Sequence, residues 1–144
     1  MKRIYIILLC LYACIVANAQ ESSRRPDTML TKGPIFHFSE PDLYDFGDIK
    51  EGAVMVHDFV FTNAGKRPLI VDSAMASCGC TTPVWPKEPI LPGKTGKITV
   101  TYYSAGHAGA FIKNIFISSN AITPGESYVL HIKGNVLPRK ADKN

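Results

Sequence analysis

From Gly33 onward the chain alternates short apolar runs with turn residues, and the spacing predicts strands throughout. The runs are PIFHF (34–38), LYDFGDI (43–49), AVMVHDFVFTN (53–63), PLIVDSAM (68–75), TGKITVTYY (95–103), AFIKNIFISSN (110–120) and SYVLHIKGNV (127–136). Successive strand residues point to opposite faces. That rule puts Phe59 and Phe61 together, sets Ile98, Val100 and Tyr102 opposite Lys97, Thr99 and Thr101, and sets Leu130, Ile132 and Val136 opposite His131 and Lys133. No window beyond the first residues carries a helical stripe. Short strands at regular spacing, with turns such as Asn63-Ala64-Gly65-Lys66 and Thr123-Pro124-Gly125 between them, predict an all-β, antiparallel β-sandwich of about seven strands over residues 34–137. The tail, residues 138–144, is polar and predicted to be disordered.

One segment breaks the period of two. PVWPKEPILP places Pro83, Pro86, Pro89 and Pro92 three residues apart. Polyproline II has three residues per turn, so the four prolines would line one ridge, with Val84, Lys87 and Ile90 on a second and Trp85, Glu88 and Leu91 on a third. It reads either as a stiff connector between sheet edges or as a presented recognition rod. Trp85, the single tryptophan, is the residue type favoured as an interface anchor.

The N-terminus changes the setting. Lys2 and Arg3 precede an apolar run from Ile4 to Ala17, and Ala17-Asn18-Ala19 offers a small–x–small cleavage pattern. The run is shorter than the roughly 20 residues a membrane span needs. The expectation is an exported chain, in the periplasm or envelope of a bacterium, with a signal peptide at 1–19 cut between Ala19 and Gln20 and a flexible tether at 20–33. LYAC (11–14) supplies an alternative, lipidation at Cys14, against which Tyr12, Ile15 and Val16 argue by bulk and apolarity. No second apolar run exists, so the mature chain is expected to lack a transmembrane segment. Without residues 1–19 the chain keeps fourteen basic and twelve acidic residues, a net charge of +2. The basic residues are scattered rather than gathered in a stripe with aromatics, which argues against nucleic acid as a partner.

Export leaves two cysteines, Cys78 and Cys80, in SCGCTTP. Disulfides persist in that compartment. Across two residues the chain reaches at most about 7 Å, within range of a disulfide when bent, and Gly79 permits the bend. A three-residue loop would contribute only about 1.6 kcal/mol by loop entropy, so the bond would be a weak staple. Three readings stay open: a structural disulfide or thiol turn, a redox pair, and a soft-metal clamp for copper or zinc. Zinc would need two further ligands. The four histidines, His37, His57, His107 and His131, each lie in a different segment.

Other catalytic patterns fail. His57 and Asp58 are strand neighbours and point apart. His131 falls on an outward face, and His107 sits in a loop, AGHAG, without an acidic neighbour. Asp45 and Asp48 flank Gly47 as turn and strand-end groups, and Ser118-Ser119 have no readable base. No phosphate loop, paired-carboxylate motif or glycosylation sequon is present.

The order YDFGDIKEG (44–52), FVFTNAGKRPLIV (59–71), SCGCTTPVW (77–85), PILPGKTGKITVTY (89–102), GAFIKNIFISSN (109–120) and HIKGNV (131–136) resembles the DUF1573 family of exported bacterial domains over about residues 35–136. The resemblance implies an immunoglobulin-like fold similar to modules of the ASH/Hydin type, and it implies no reaction, ligand or catalytic residue. The functional expectation is a non-enzymatic module without cofactor that binds another protein or a cell-envelope component. Its expected surface is the Cys78–Cys80 turn with Pro83, Trp85, Pro86, Pro89 and Pro92. The alternative is a thiol-redox or copper-handling protein working through Cys78 and Cys80.

Overall fold

The computed structural model describes residues 33–122 and 127–139. The segment 1–19 with Cys14 and the Ala19/Gln20 position, residues 20–32, the Thr123-Pro124-Gly125 turn and residues 140–144 lie outside the described residues. Among the described residues eight strands form: β1 (Phe36–Phe38), β2 (Leu43–Lys50), β3 (Val54–Asn63), β4 (Val71–Ala76), β5 (Thr81–Val84), β6 (Thr95–Tyr103), β7 (Gly109–Ser119) and β8 (Tyr128–Leu137). They make two four-stranded sheets, β1-β3-β6-β5 (sheet A) and β2-β8-β7-β4 (sheet B). The chain is therefore the expected all-β sandwich.

Two details refine the sequence reading. The strand count is eight, because TTPV forms β5 on the edge of sheet A. The pattern hid it: Pro83 lies within a four-residue strand, and proline is tolerated only at edges. The sheets are also not wholly antiparallel, since β2 runs parallel to β8. These strands are far apart in sequence and no hairpin joins them, so no turn imposes the antiparallel sense.

The alternation in the sequence becomes the core. Phe59 and Phe61 of β3, Ile98, Val100 and Tyr102 of β6, Ile115 and Ile117 of β7, and Leu130 and Ile132 of β8 all have no exposed surface. Tyr102 and Phe111 stack at 4.1 Å between the sheets, while Phe36, Phe38 and Tyr128 close one side over Phe61. Such interleaving fills the roughly 10 Å between two sheets.

One buried polar residue organises a whole end. Asn63 is fully buried. Its amide nitrogen donates to the carbonyls of Arg67 (2.7 Å) and Ile90 (2.9 Å), and its Oδ1 accepts from the N–H of Gly65 (3.0 Å) and Ile35 (3.3 Å). All four capacities of the side chain are used. The turn it holds packs so closely that a Cβ on Gly65 would strike the Gly33 carbonyl oxygen and Pro34 Cα.

The proline segment has a structural task. Ile90 and Leu69 exchange two main-chain hydrogen bonds, 2.8 and 2.9 Å. Trp85 packs against the core and Ile90 is part of it, so the segment is tied to the sandwich at both ends. The three ridges expected of a free polyproline rod do not survive: Val84 is 58% exposed and paired in β5, whereas Ile90 is 6% exposed and part of the core. Nor does the segment cross between sheets, because β5 and β6 are neighbours in sheet A.

Candidate functional site

The chain crosses from sheet B to sheet A between Ala76 and Thr81, and the two cysteines sit on that crossing. Their sulfurs are bonded, with Cα atoms 5.3 Å apart. The main chain is pinned on both sides independently of the sulfurs. Ser77 N–H donates to the Asn114 carbonyl (2.9 Å), Asn114 N–H to Ser77 Oγ (3.1 Å), Thr81 N–H to the Cys78 carbonyl (3.3 Å) and Tyr103 N–H to the Cys80 carbonyl (2.9 Å). Thr81, only 4% exposed, brings its hydroxyl to 3.5 Å from Cys78 Sγ and 3.9 Å from Cys80 Sγ. Sulfurs in a disulfide carry no proton, so Thr81 is the donor. Cys80 packs against the core.

Trp85 is half-buried and packs against the core, and Lys87 Nζ lies 3.3 Å from the centre of its ring. Among the described residues the indole Nε1 finds no partner, nor does the Tyr102 hydroxyl, whose pKa burial raises. Pro83 and Pro86 are half-buried and Pro89 and Pro92 exposed. The structure thus brings Cys78, Cys80 and Pro83 together on the crossing and β5, and carries Pro89 and Pro92 to the opposite end of β4.

The outer face of sheet A presents a surface that the sequence reading did not single out. Val54, Val56, Val60, Val84 and Tyr103 are exposed there by 37–58%. Val54 pairs with Tyr103 across the strands, Val56 lies in line with Thr101 and Thr82, and Val84 in line with Thr99. Among these side chains the ion pair is Asp58 with Lys97 at 2.7 Å, and Thr99 also donates to Asp58. These contacts hold the Asp58 carboxyl below its ordinary pKa, Lys97 contributing most. The signal was present in the sequence, since alternation that puts Phe59 and Phe61 inside puts Val54, Val56 and Val60 outside.

Two of the four histidines are engaged. His57 points inward, 3.5 Å from the Tyr44 ring in a stacked arrangement, with Nε2 at 2.9 Å from Glu40 Oε1. His131 is half-buried and bonded to Asn114 Oδ1 at 2.9 Å, while His37 and His107 are exposed. Among the described residues no three His, Cys, Asp or Glu side chains gather as a metal would require. Cys78 and Cys80 could serve a soft metal only after reduction, since the ligand is the thiolate. A shallow groove of about 520 Å³ on the outer face of sheet B lies over Asp45, Asp48, Ile112, Lys133 and Asn135. Its polar groups already pair with one another, Asp45 with Lys133 at 3.3 Å and Asn135 with Asp48 at 2.9 Å. Among the described residues no helix is long and apolar enough to cross a membrane.

Comparison with known proteins agrees with this architecture. A family described as "Protein of unknown function (DUF1573)" matches residues 36–136. No curated protein sequence matches the chain. A protein of unknown function from Porphyromonas gingivalis W83 is similar in structure, with TM-score 0.63 and 17% identity over 74% of this chain and 48% of that one. The ASH/PapD-like domain 7 of human CEP192 gives TM-score 0.58 and 11% identity, covering 83% of this chain and 94% of the domain. The secreted serine protease VesC of Vibrio cholerae gives TM-score 0.51 and 15% identity over 77% of this chain and 24% of that one. This chain spans about half the length of the first of these and a quarter of the last. At such identities the likeness speaks of the fold alone.

Proposed function

The chain belongs to the DUF1573 family, and we propose that it is an exported, non-enzymatic immunoglobulin-like module that binds another protein or cell-envelope component through the outer face of sheet A. The observation that carries this reading is the set of five exposed apolar side chains, Val54, Val56, Val60, Val84 and Tyr103, on one face of one sheet. Contiguous exposed apolar surface that interleaves with hydroxyls and carries little charge is the mark of an interaction site. The N-terminal pattern of residues 1–19 supports export to the periplasm or envelope.

The surface differs from the proline ridge expected at first. Trp85 contributes to the sandwich with Lys87 over its ring, and Val84 of β5 supplies the apolar side chain that reaches the face. The test is a double substitution, Val56→Lys with Val84→Lys, compared with Ile112→Lys on the other sheet. All three positions are more than half exposed, so the fold should survive. Loss of the co-isolated envelope component with the double variant, and retention with Ile112→Lys, is the expected result. Equal retention by both variants refutes this face.

A further inference from the structure

We propose that the Cys78–Cys80 bond is a thiol–disulfide exchange site that accepts two electrons from a dithiol, and that the fold is built to survive its opening. Reversible exchange needs a disulfide that the native state does not depend on. The crossing meets that condition. Four hydrogen bonds, from Ser77, Asn114, Thr81 and Tyr103, fasten the main chain before and after the cysteines without using either sulfur. The covalent loop contains three residues, and short loops constrain the unfolded chain least. Breaking the bond therefore frees two thiols on a backbone still held in place.

The surroundings suit the thiolates that exchange produces. The Thr81 hydroxyl, buried and within reach of both sulfurs, has no acceptor other than sulfur among its observed bonds. It can donate to whichever sulfur carries charge. A cation is supplied from β7. Ser77 N–H bonds to the Asn114 carbonyl, continuing the register in which Ala76 faces Ile115. Carried past the end of β4, that register would bring Cys78 toward Lys113. Lys113 shares a strand face with Phe111, Ile115 and Ile117, the core face, and is half-buried there. A positive charge beside a cysteine favours its thiolate.

The chemistry balances as follows. A thiolate of the incoming dithiol attacks Cys78 Sγ, which lies on the crossing between exposed Ser77 and Gly79, while Cys80 packs against the core. The Cys78–Cys80 bond breaks, and its electron pair leaves on Cys80 Sγ, where the Thr81 hydroxyl receives the charge. Cys78 is then joined to the dithiol in a mixed disulfide. The second thiol of the dithiol, deprotonated, attacks its own first sulfur and releases Cys78 as a thiolate. The dithiol is oxidised to a disulfide, Cys78 and Cys80 are reduced, and the two protons pass to solvent or to the new thiolates. Thr81 and Lys113 are positioning residues in this scheme.

The test uses the full chain equilibrated in glutathione buffers, with free thiols trapped by a maleimide and read by mass spectrometry on the peptide that carries Cys78 and Cys80, apart from Cys10 and Cys14. Structural disulfides of secreted proteins resist the glutathione pool. The expected result is that reduced glutathione in excess opens the bond, that the far-ultraviolet spectrum is unchanged, and that oxidised glutathione closes it again. A bond that stays shut, or a chain that unfolds as it opens, overturns the proposal. Two further measurements separate exchange from mere reducibility. Cys80→Ser, with Cys78 free, should form a mixed disulfide with glutathione several-fold faster than Cys78→Ser does, and Lys113→Met in that background should move the pH profile of the reaction upward. Equal rates for the two serine variants, or a profile unmoved by Lys113→Met, contradict the assigned roles.

Discussion

Replacing Asn63 by alanine removes four hydrogen bonds at once, and the structure says what each loss costs. The Gly65 N–H has Asn63 Oδ1 as its partner in a buried setting. An orphaned buried donor costs about 1–3 kcal/mol. The Ile35 N–H loses its bond in a half-buried setting and contributes toward the low end of that range. The Ile90 carbonyl retains the Leu69 N–H at 2.9 Å, so its loss is partial. The Arg67 carbonyl belongs to an exposed residue and can turn to water. With the small void left by the amide, the total comes to about 3–4 kcal/mol. At roughly 4–8 °C per kcal/mol for a domain near this size, the melting temperature should fall by about 12–32 °C. Urea unfolding of wild type and Asn63→Ala, with the slope unchanged, measures the difference directly. Asn63→Asp is the sharper control. It keeps the acceptor side but loses both donors, and an anionic oxygen would then face the Arg67 and Ile90 carbonyls. Its loss should equal or exceed that of alanine. A loss below about 1 kcal/mol for alanine, or an aspartate variant as stable as wild type, would refute the hub assigned to this residue.

Three further outcomes follow from the same coordinates. Gly65→Ala should destabilise by more than about 2 kcal/mol in urea, because the added methyl meets the backbone of Gly33 and Pro34 instead of a side chain that can move; near-wild-type stability would mean the two segments are not in contact. Asp58→Asn should cost at most about 1 kcal/mol, since the carboxylate is 39% exposed and solvent screens the Lys97 pair. The native state lowers the Asp58 pKa, so its contribution is complete above the unfolded value and vanishes as pH falls through the folded one. The wild type and Asp58→Asn stability curves should thus converge below about pH 4, and a difference that persists in acid would exclude the ion pair as its source. Cys78→Ser with Cys80→Ser should lose no more than about 1.6 kcal/mol in thermal unfolding, and loss of folding would show that the crossing depends on its sulfurs.

How much of this was readable beforehand varies with the range of the interaction. Seven strand segments and their inward faces follow from alternation, a local property, and Phe59, Phe61, Ile98, Val100, Tyr102, Leu130 and Ile132 are buried as that pattern requires. β5 was hidden because Thr81–Val84 is short and contains Pro83, which a local rule assigns to a connector. The parallel pairing of β2 with β8 depends on where the chain returns after some ninety residues, and no short motif encodes it. Asn63 reads locally as a turn residue, and its role needs Ile35 and Ile90, each 27 or 28 residues away. His57 likewise pairs with Glu40 instead of its neighbour Asp58. The cysteines stood out as the chemical feature of the chain, but Thr81 and Lys113 enter only through the fold of the crossing. The apolar outer face of sheet A was implicit in the same alternation that predicted the core, once the second face of each strand is asked what it meets.

The central claim is that this module works by contact through the outer face of sheet A. A photo-crosslinking amino acid placed at Val56 or Val84, and in parallel at Ile112 on sheet B, tests it in living cells without disturbing the core. The account predicts a discrete covalent adduct from Val56 and from Val84 and none from Ile112. Adducts from Ile112 alone, or from none of the three positions, would contradict it.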